Sequence, residues 1–515
     1  MLPEFPNEPL TNFGDAANVA AFEAALAEVQ SQLGRFYPSV VGGEEVTQGK
    51  RLVSTNPSQP DEVIGEFVAA DAALAKQAVA AAVEGFERWR RVDPRERARY
   101  LLSAAAEMRR RKHQLSALMV LEVGKSWVEA DADVAEGIDL VEWYGREMLR
   151  LAEPQPLPAV AGEEVDLIYL PLGVGLVIPP WNFPIAIAGG MTAATIVAGN
   201  AVLLKPASTA PTCGRKLCEI LWEQGLPEGV LNFLPGAGGE IGDGLVTHAK
   251  TRFVTFTGSK EVGLRIHELA AKTQPGQRWI KRTILEMGGK DCIVVDETAD
   301  LALAAEGIVV SAFGYSGQKC SAGSRAIIVE DVYGELMDKV LARAAQITVG
   351  PPRERSNWMG PVIDQRGEEK ILSYIRRGKS EGELLGGGEK LDRPGYFLAP
   401  TIFGRVPADA RIAQEEIFGP VLSCIPVQDF EAALEVANGS EYGLTGSLYS
   451  RNRHRKEIAR WELHVGNLYF NRKCTGALVG GHPFGGFNMS GTDSKGGGRD
   501  YLLLLTQAKS IGDRL

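Results

Sequence analysis

The 515-residue sequence has few of the residues that build metal centres or disulfide frameworks. Its six cysteines are scattered without a CxxC pair, and its six histidines include no HExxH motif. Both absences argue against a metal site and against a secreted fold held by disulfides. We interpret most of the cysteines as small buried hydrophobes, and free thiols are typical of a reducing compartment. The expectation is a cytoplasmic protein without a metal.

Positive charge is also scarce. The sequence has 55 Lys and Arg against 65 Asp and Glu, which gives a formal net charge of -10. No basic stripe is present to attract nucleic acid or anionic lipid, so neither is expected as a partner. No Lys or Arg precedes Arg35, which argues against a secretory signal and against an Arg-rich transit peptide.

Long apolar runs are represented by one charge-free stretch, residues 183–204. Its length satisfies the requirement of about 20 residues for a membrane-spanning helix. It contains one proline, three glycines and an asparagine, however, and no cluster of Lys or Arg flanks it. We therefore predict a buried helix followed by a buried strand, and no membrane partner.

The N-terminal third is mostly helical in pattern. Helices are predicted over residues 16–32, after the N-cap candidate Asp71, and from 94 to about 153 with a break at Gly124. Residues 154–173 change in texture and predict an extended excursion, for which a hairpin is one arrangement.

Short apolar runs then alternate with helical ones, which is typical of a parallel, doubly wound sheet. The predicted strands and helix of two successive blocks are residues 174–178, 201–204, 230–233, 253–256, 292–295, 301–313 (the helix) and 326–329. The apolar run at 501–505 is expected to add to a neighbouring sheet or subunit. At this length two to three domains are expected.

A thiol and a carboxylate, each set among glycines, suggest covalent chemistry. Cys320 follows the predicted helix and a Gly-containing turn, so its thiol is a candidate nucleophile. Glu286 precedes a Gly-Gly pair where a strand should end, and a partly desolvated carboxylate there is a competent base for water. A structural cysteine and a surface glutamate are the alternatives.

Two turns add to this pair. In the proline-rich turn 179–184, the Asn182 amide is placed to donate to a developing oxyanion, with a structural turn as the alternative. Residues 256–263 have the form strand, Gly-Ser, helix, and backbone N–H groups at such a helix start bind pyrophosphate. A GxGxxG fingerprint is absent here.

Several further motifs stand in a specific order, and with them the sequence resembles the aldehyde dehydrogenase superfamily from about Phe36 onwards. The motifs are Pro-Trp-Asn-Phe-Pro at 180–184, Lys-Pro-Ala at 205–207, Phe-Thr-Gly-Ser at 256–259, Leu-Glu-Met-Gly-Gly-Lys at 285–290, Gly-Gln-Lys-Cys at 317–320, Glu-Glu-Ile-Phe-Gly-Pro at 415–420 and Pro-Phe-Gly-Gly at 483–486.

The resemblance implies an α/β fold with three parts. They are a Rossmann-type dinucleotide-binding domain (1–153 and 174–288), an α/β catalytic domain (289–484), and a small oligomerisation flap (154–173 and 485–515). It also implies a homodimer or a larger homo-oligomer.

A narrower resemblance lies in the runs 466–472 and 475–480, in 122–127 and in 7–9. These are similar to the 1-pyrroline-5-carboxylate dehydrogenases of proline degradation. They imply oxidation of L-glutamate γ-semialdehyde to L-glutamate with NAD. Another semialdehyde dehydrogenase is the nearest alternative. A thioester or ester hydrolase, a CoA-acylating enzyme, which would normally dispense with Glu286, and a non-catalytic scaffold are the others.

The residue roles follow from the resemblance. Cys320 would attack the aldehyde, Asn182 and the Cys320 N–H would bind the oxyanion, and Glu286 would activate water for thioester hydrolysis. The implied cofactor residues are Trp181, Lys205, Ser208, Gly258, Ser259, Glu416 and Phe418. The implied substrate residues are Glu142, Phe183, Ser321, Gly476 and Ala477, and for Glu142 a solvated helix face is the alternative.

Three positions depart from the pattern. Ser208 stands where many NAD-preferring relatives have a glutamate that would repel a 2′-phosphate, so we expect NADP to be tolerated. His482 stands where the subgroup usually has glutamine, and Cys474 is an unusual neighbour of the substrate loop. Both leave the substrate anchoring open.

Overall fold

The structure, a computed structural model, describes residues 4–514. Its α-helices are α1 Ala16–Gln30, α2 Ala72–Trp89, α3 Pro94–Arg110, α4 Lys112–Glu122, α5 Trp127–Leu151, α6 Ala186–Val197, α7 Pro211–Glu223, α8 Gly238–Thr247, α9 Lys260–Ala271, α10 Leu301–Phe313, α11 Glu330–Ala344, α12 Gln365–Gly378, α13 Arg411–Gln414, α14 Phe430–Asn438 and α15 Arg453–Glu462. Two short 3₁₀ helices cover Gly314–Gly317 and Tyr501–Leu505.

The strands are β1 Arg35–Tyr37, β2 Ser39–Val41, β3 Glu44–Val46, β4 Arg51–Asn56, β5 Gln59–Val68, β6 Glu163–Pro171, β7 Val174–Ile178, β8 Ala201–Leu204, β9 Leu231–Phe233, β10 Thr251–Thr257, β11 Arg282–Glu286, β12 Asp291–Val295, β13 Gly323–Val329, β14 Glu383–Gly386, β15 Thr401–Gly404, β16 Val421–Val427, β17 Tyr442–Gly443, β18 Thr445–Tyr449, β19 Asn467–Phe470, β20 Phe487–Asn488 and β21 Thr506–Arg514.

The first large sheet has the order β11-β10-β7-β8-β9-β2-β3, and the strands from β11 to β9 run parallel. Along β7, Val177 packs into a core on one face while Leu176 and Ile178 pack into a core on the other. Burial on both faces explains why these strands read as continuous apolar runs in the sequence.

The second large sheet has the order β14-β15-β16-β13-β12-β18-β19, parallel except for β14. On β12, Val294 faces one core while Ile293 and Val295 face the other. The first sheet takes its strands from residues 39–286 and the second from 291–470. The expected doubly wound α/β fold is therefore confirmed, and the three-part domain division stays a prediction.

The excursion at 154–173 does not form a hairpin with itself. Its strand β6 pairs antiparallel with β21 over nine residues, from Thr506 opposite Pro171 to Arg514 opposite Glu163. The apolar run before β21 is a 3₁₀ helix whose Tyr501 packs into the core of the first sheet. The expected sheet addition therefore comes from β21 and not from the apolar run itself.

The local expectations in the helical region are confirmed. Asp71 caps α2 by accepting a 2.8 Å hydrogen bond from Leu74 N–H. Gly124 separates α4 from α5 with a φ of 70°, a conformation that favours glycine. The charge-free stretch contains the buried helix α6 and the buried strand β8. Across the described residues, no helix has both the length and the apolar character to cross a bilayer.

Candidate active site

Cys320 lies where two cavities meet, and the turn that leads to it is strained. Tyr315 and Ser316 have φ angles of 52° and 56°, in the left-handed region. The Tyr315 hydroxyl donates to the Val123 carbonyl at 2.8 Å, and the Ser316 hydroxyl donates to the Gly360 carbonyl at 2.7 Å. These buried bonds hold a conformation that would otherwise cost about 1–3 kcal/mol per residue, as is common beside active sites.

Asn182 joins this turn to the first sheet. It lies in the proline-rich turn after β7, is 4% exposed, and its Nδ2 donates to the Gln318 carbonyl at 2.9 Å. The Gln318 side chain is fixed in turn by Ile363 N–H and by the Pro361 carbonyl. The amide is therefore held two residues from Cys320, in the cleft that Cys320 also lines.

The Cys320 thiol is held in its neutral form at rest. Burial raises its pKa well above the usual value, and the carboxyl groups of Asp291, Glu286 and Glu416 raise it further. Attack on an electrophile therefore requires removal of the thiol proton as the new bond forms.

Glu286 ends β11 and lines the smaller of the two cavities with Cys320. Burial raises its pKa to about 7, against the opposing effect of hydrogen bonds from the Ser494 hydroxyl at 2.5 Å and from Gly486 N–H at 3.2 Å. A carboxyl group that titrates near neutral pH is well matched to act as a general base there.

The larger cleft, with a volume of about 590 Å³, is lined by residues of both sheets. Its lining includes Cys320 and six of the predicted residues, namely Trp181, Asn182, Gly258, Ser259, Glu416 and Phe418. The Trp181 and Phe418 rings pack edge to face with centroids 5.6 Å apart.

The groups in this cleft fit a dinucleotide. Ser259 caps the 12-residue helix α9, accepting from Val262 N–H at 3.4 Å, so the positive end of the helix faces the cleft. The Glu416 carboxylate accepts from Gly289 N–H at 3.1 Å and supplies acceptors suited to ribose hydroxyls.

Lys205 and Ser208 lie beyond the lining of this cleft, after β8. Lys205 Nζ and Ser208 Oγ both donate to the Gly236 carbonyl, at 3.2 and 3.3 Å. Burial lowers the pKa of Lys205 to about 8. An ammonium and a hydroxyl thus converge on one backbone oxygen.

The smaller cavity, here called the inner cavity, has a volume of about 90 Å³. It is lined by Glu136, Leu140, Tyr144, Ile187, Gly190, Met191, Thr257, Glu286, Cys320, Ala477, Leu478, Val479, His482, Phe484, Ser494, Gly496 and Tyr501. Of the five predicted substrate residues, only Ala477 is among them.

Glu136 was missed by the sequence reasoning. Burial, then the nearby Asp133, raises its pKa to about 7. Glu136, Leu140 and Tyr144 follow one another at intervals of four along α5, so they lie on one helix face. That spacing is the signal that would have favoured Glu136 over Glu142.

Glu142 lies on the same helix but away from the inner cavity. Its carboxylate accepts two hydrogen bonds from Arg146, at 2.9 and 2.7 Å, and one from Arg109, which also binds Glu8. Burial acts to raise its pKa, yet the guanidinium groups of Arg109 and Arg146 lower it. These contacts indicate a structural role rather than the predicted substrate contact.

The remaining substrate predictions flank the cavity. Lys125 Nζ lies 3.8 Å from the centroid of the Phe183 ring. The Ser321 carbonyl accepts from Cys474 Sγ at 3.3 Å. Gly476 begins the loop that lines the cavity, with a φ of 77°.

Comparison with known proteins agrees with this geometry. Residues 45–511 match the aldehyde dehydrogenase family. Curated relatives from Geobacillus sp. (strain WCH70) and Bacillus subtilis (strain 168), both named 1-pyrroline-5-carboxylate dehydrogenase, are 56% and 54% identical over 513 residues, with full coverage of both chains. A crystal structure of 1-pyrroline-5-carboxylate dehydrogenase from Thermus with bound NAD is 52% identical, with full coverage of both chains and a TM-score of 0.98. The chain is therefore a member of the aldehyde dehydrogenase family.

Proposed function

We propose that this protein oxidises L-glutamate γ-semialdehyde, the open form of 1-pyrroline-5-carboxylate, to L-glutamate in proline degradation. NAD is the proposed acceptor, and NADP is accepted as well. The observation that carries the proposal is the position of Cys320, which lines both the larger cleft and the inner cavity that holds Glu286. The names of the similar proteins supply the substrate.

The reaction begins with Cys320. Its sulfur attacks the aldehyde carbon, and Glu286 takes the thiol proton and passes it to water. The oxyanion that forms is bound by Asn182 Nδ2 and by the Cys320 backbone N–H, each worth roughly 3 kcal/mol to the transition state.

A dinucleotide would be held by the α9 N-terminus, Ser259, Glu416 and Lys205. When bound it supplies the acceptor for the hydride whose loss leaves a thioester on Cys320. Trp181 and Phe418 border the cleft beside Cys320 and limit the access of water to the reacting carbon.

Thioester hydrolysis belongs to Glu286. In its ionised form it removes a proton from a water molecule, which attacks the acyl carbon, and L-glutamate leaves as the Cys320 sulfur regains a proton. The pKa near 7 keeps a large fraction of Glu286 ionised at neutral pH.

Recognition of the substrate uses the two ends of the inner cavity. The loop of Gly476 and Ala477, with Ser321, receives the carboxylate, and Phe183 packs beside the aliphatic stem. Glu136 faces the ammonium group, since it is the carboxyl group of the cavity besides Glu286.

The test is an NADH assay on Cys320→Ala, with Cys424→Ala as the control because Cys424 is buried in the second sheet. We expect oxidation of racemic 1-pyrroline-5-carboxylate to be lost in the first variant and kept in the second. Activity that survives Cys320→Ala would overturn the mechanism. Equal kcat/KM for propanal, succinate semialdehyde and 1-pyrroline-5-carboxylate would remove the substrate assignment.

The proposal extends to assembly and location. The β6–β21 ribbon exposes most of β21, including Ile511 at 36%, and a lone two-stranded ribbon is marginally stable. We therefore propose a homodimer or larger homo-oligomer that covers this ribbon, testable by light scattering of a Δ506–515 variant. The six free cysteines favour a cytoplasmic location.

A further inference from the structure

The imidazole of His482 closes the loop that lines the inner cavity. Its Nδ1 accepts a hydrogen bond from Leu478 N–H at 3.2 Å, and its own backbone N–H donates to the Leu478 carbonyl at 2.7 Å. Ala477, Leu478, Val479 and His482 all line the cavity. The imidazole therefore ties together both ends of one wall of the site.

The other end of this loop is held by an arginine. Arg472 Nη2 donates to the carbonyls of Thr475 and Gly476, at 2.9 and 2.8 Å. The same guanidinium lies 4.3 Å from the centroid of the Tyr469 ring, and that ring packs edge to face with His482. Arg472 keeps its charge at all pH values of interest, whereas His482 does not.

The hydrogen bond fixes the protonation state of the ring. A backbone N–H can only donate, so Nδ1 must carry a lone pair, and the imidazole is neutral with its proton on Nε2. A second proton would replace that lone pair and set two N–H groups against each other. The closed loop and the imidazolium form exclude one another.

The surroundings give no compensation for a charged ring. Burial, then the positive charge of Arg472, lowers the pKa of His482. Tyr469 faces it from β19, Tyr144 and Glu136 face the cavity from α5, and Glu286 faces it from β11. Both carboxyl groups titrate near 7, so at acid pH they are neutral and offer no counter-charge.

We infer that His482 is a positioning residue of the substrate site, which holds the 476–479 loop closed only in its neutral form. This inference rests on the proposed function, because it assigns the loop to substrate binding. It follows that substrate affinity falls as His482 is protonated, while dinucleotide affinity, which depends on the larger cleft, does not change.

His482→Gln is the matched variant. A glutamine side chain offers an acceptor oxygen for Leu478 N–H but does not titrate between pH 5 and 8. His482→Ala removes the acceptor and should raise KM at every pH. Because ring opening of 1-pyrroline-5-carboxylate and the titration of Glu136 and Glu286 affect all forms alike, the ratio of wild-type KM to His482→Gln KM isolates the imidazole.

The experiment measures KM for racemic 1-pyrroline-5-carboxylate, and KM for NAD, from pH 7.5 to 5.5 in the three proteins. A released imidazole with a pKa of about 6.5 is roughly nine-tenths protonated at pH 5.5, so the KM ratio can rise at most about tenfold. We expect a rise of threefold or more, with the NAD KM ratio constant. A smaller rise, a falling ratio or a parallel change in the NAD KM would overturn the inference.

Failure of the proposed function gives a different result. In that case wild-type protein oxidises 1-pyrroline-5-carboxylate no better than propanal at pH 7.5. Failure of the inference leaves that preference intact while the wild-type and His482→Gln pH profiles run parallel.

Discussion

The hydroxyl of Ser494 donates a 2.5 Å hydrogen bond to Oε1 of Glu286. This bond favours the ionised carboxylate, whereas burial favours the protonated form, and the balance leaves a pKa of about 7. The position of Ser494 thus helps to decide at which pH the proposed base works.

The first prediction concerns pH. Glu286 must be ionised to activate water, so kcat should rise with pH through about 7. Ser494→Ala removes a bond that lowers the pKa, and the acid limb of kcat should move upwards by about 0.5–1 pH unit. Ser494→Thr keeps the hydroxyl and should restore the profile. An unshifted limb in Ser494→Ala would show that the serine does not tune the base.

The second prediction separates two glutamates on α5. Glu136→Gln should raise KM for 1-pyrroline-5-carboxylate about tenfold, the equivalent of about 1.4 kcal/mol, and leave propanal unaffected. Glu142→Gln should keep kcat/KM within about twofold but lower the free energy of unfolding by about 1–3 kcal/mol, because it breaks a buried ion-pair network. Steady-state kinetics and urea unfolding distinguish them. The reverse pattern would restore Glu142 as the substrate residue.

The third prediction concerns the dinucleotide. Wild-type protein should use NADP with kcat/KM within about 10³-fold of NAD, a difference of about 4 kcal/mol. Ser208→Glu adds a carboxylate beside Lys205 that repels a 2′-phosphate, so NADP use should fall at least about tenfold while NAD use is kept. Ser208→Gln, of similar size but uncharged, is the control. An equal loss with both variants would point to size rather than charge.

The fourth prediction concerns a buried ion pair under the Asn182 turn. Lys125 Nζ and Asp133 Oδ2 lie 2.7 Å apart with neither side chain exposed, and Asp133 Oδ1 accepts from Ala186 N–H. Lys125→Met should lower the free energy of unfolding by about 3–5 kcal/mol, since it leaves an unpaired buried carboxylate. Adding Asp133→Asn should recover much of the loss, because the amide oxygen can still serve Ala186. Simple additivity of the two changes would refute this coupling.

The sequence predicted the sheet strands well and their long-range pairing poorly. β7, β8 and α10 match the predicted bounds residue for residue, because continuous apolar runs between glycines and prolines fix both element and ends. The partner of β6 carries no local signal. It lies more than 300 residues along the chain, and a short polar-faced strand can pair with many edges.

The catalytic residues were predictable and the cavity lining was not. Cys320, Glu286 and Asn182 stand in ordered motifs, and the structure brings them to adjoining cavities. Which glutamate of α5 faces the cavity depends on the rotation of the helix, which a motif does not give. The left-handed Tyr315 was equally hidden, because tyrosine has no preference for positive φ and is held there by distant contacts.

The burial of residues 501–505 has a consequence for biosynthesis. Leu502 and Leu505 complete the core of the first sheet, and the Asn200 amide donates to the Leu505 carbonyl 305 residues further on. On the ribosome, that core therefore stays open while the whole second sheet is being translated. Such a nascent chain exposes apolar surface for a long interval, which makes it a natural client for chaperones.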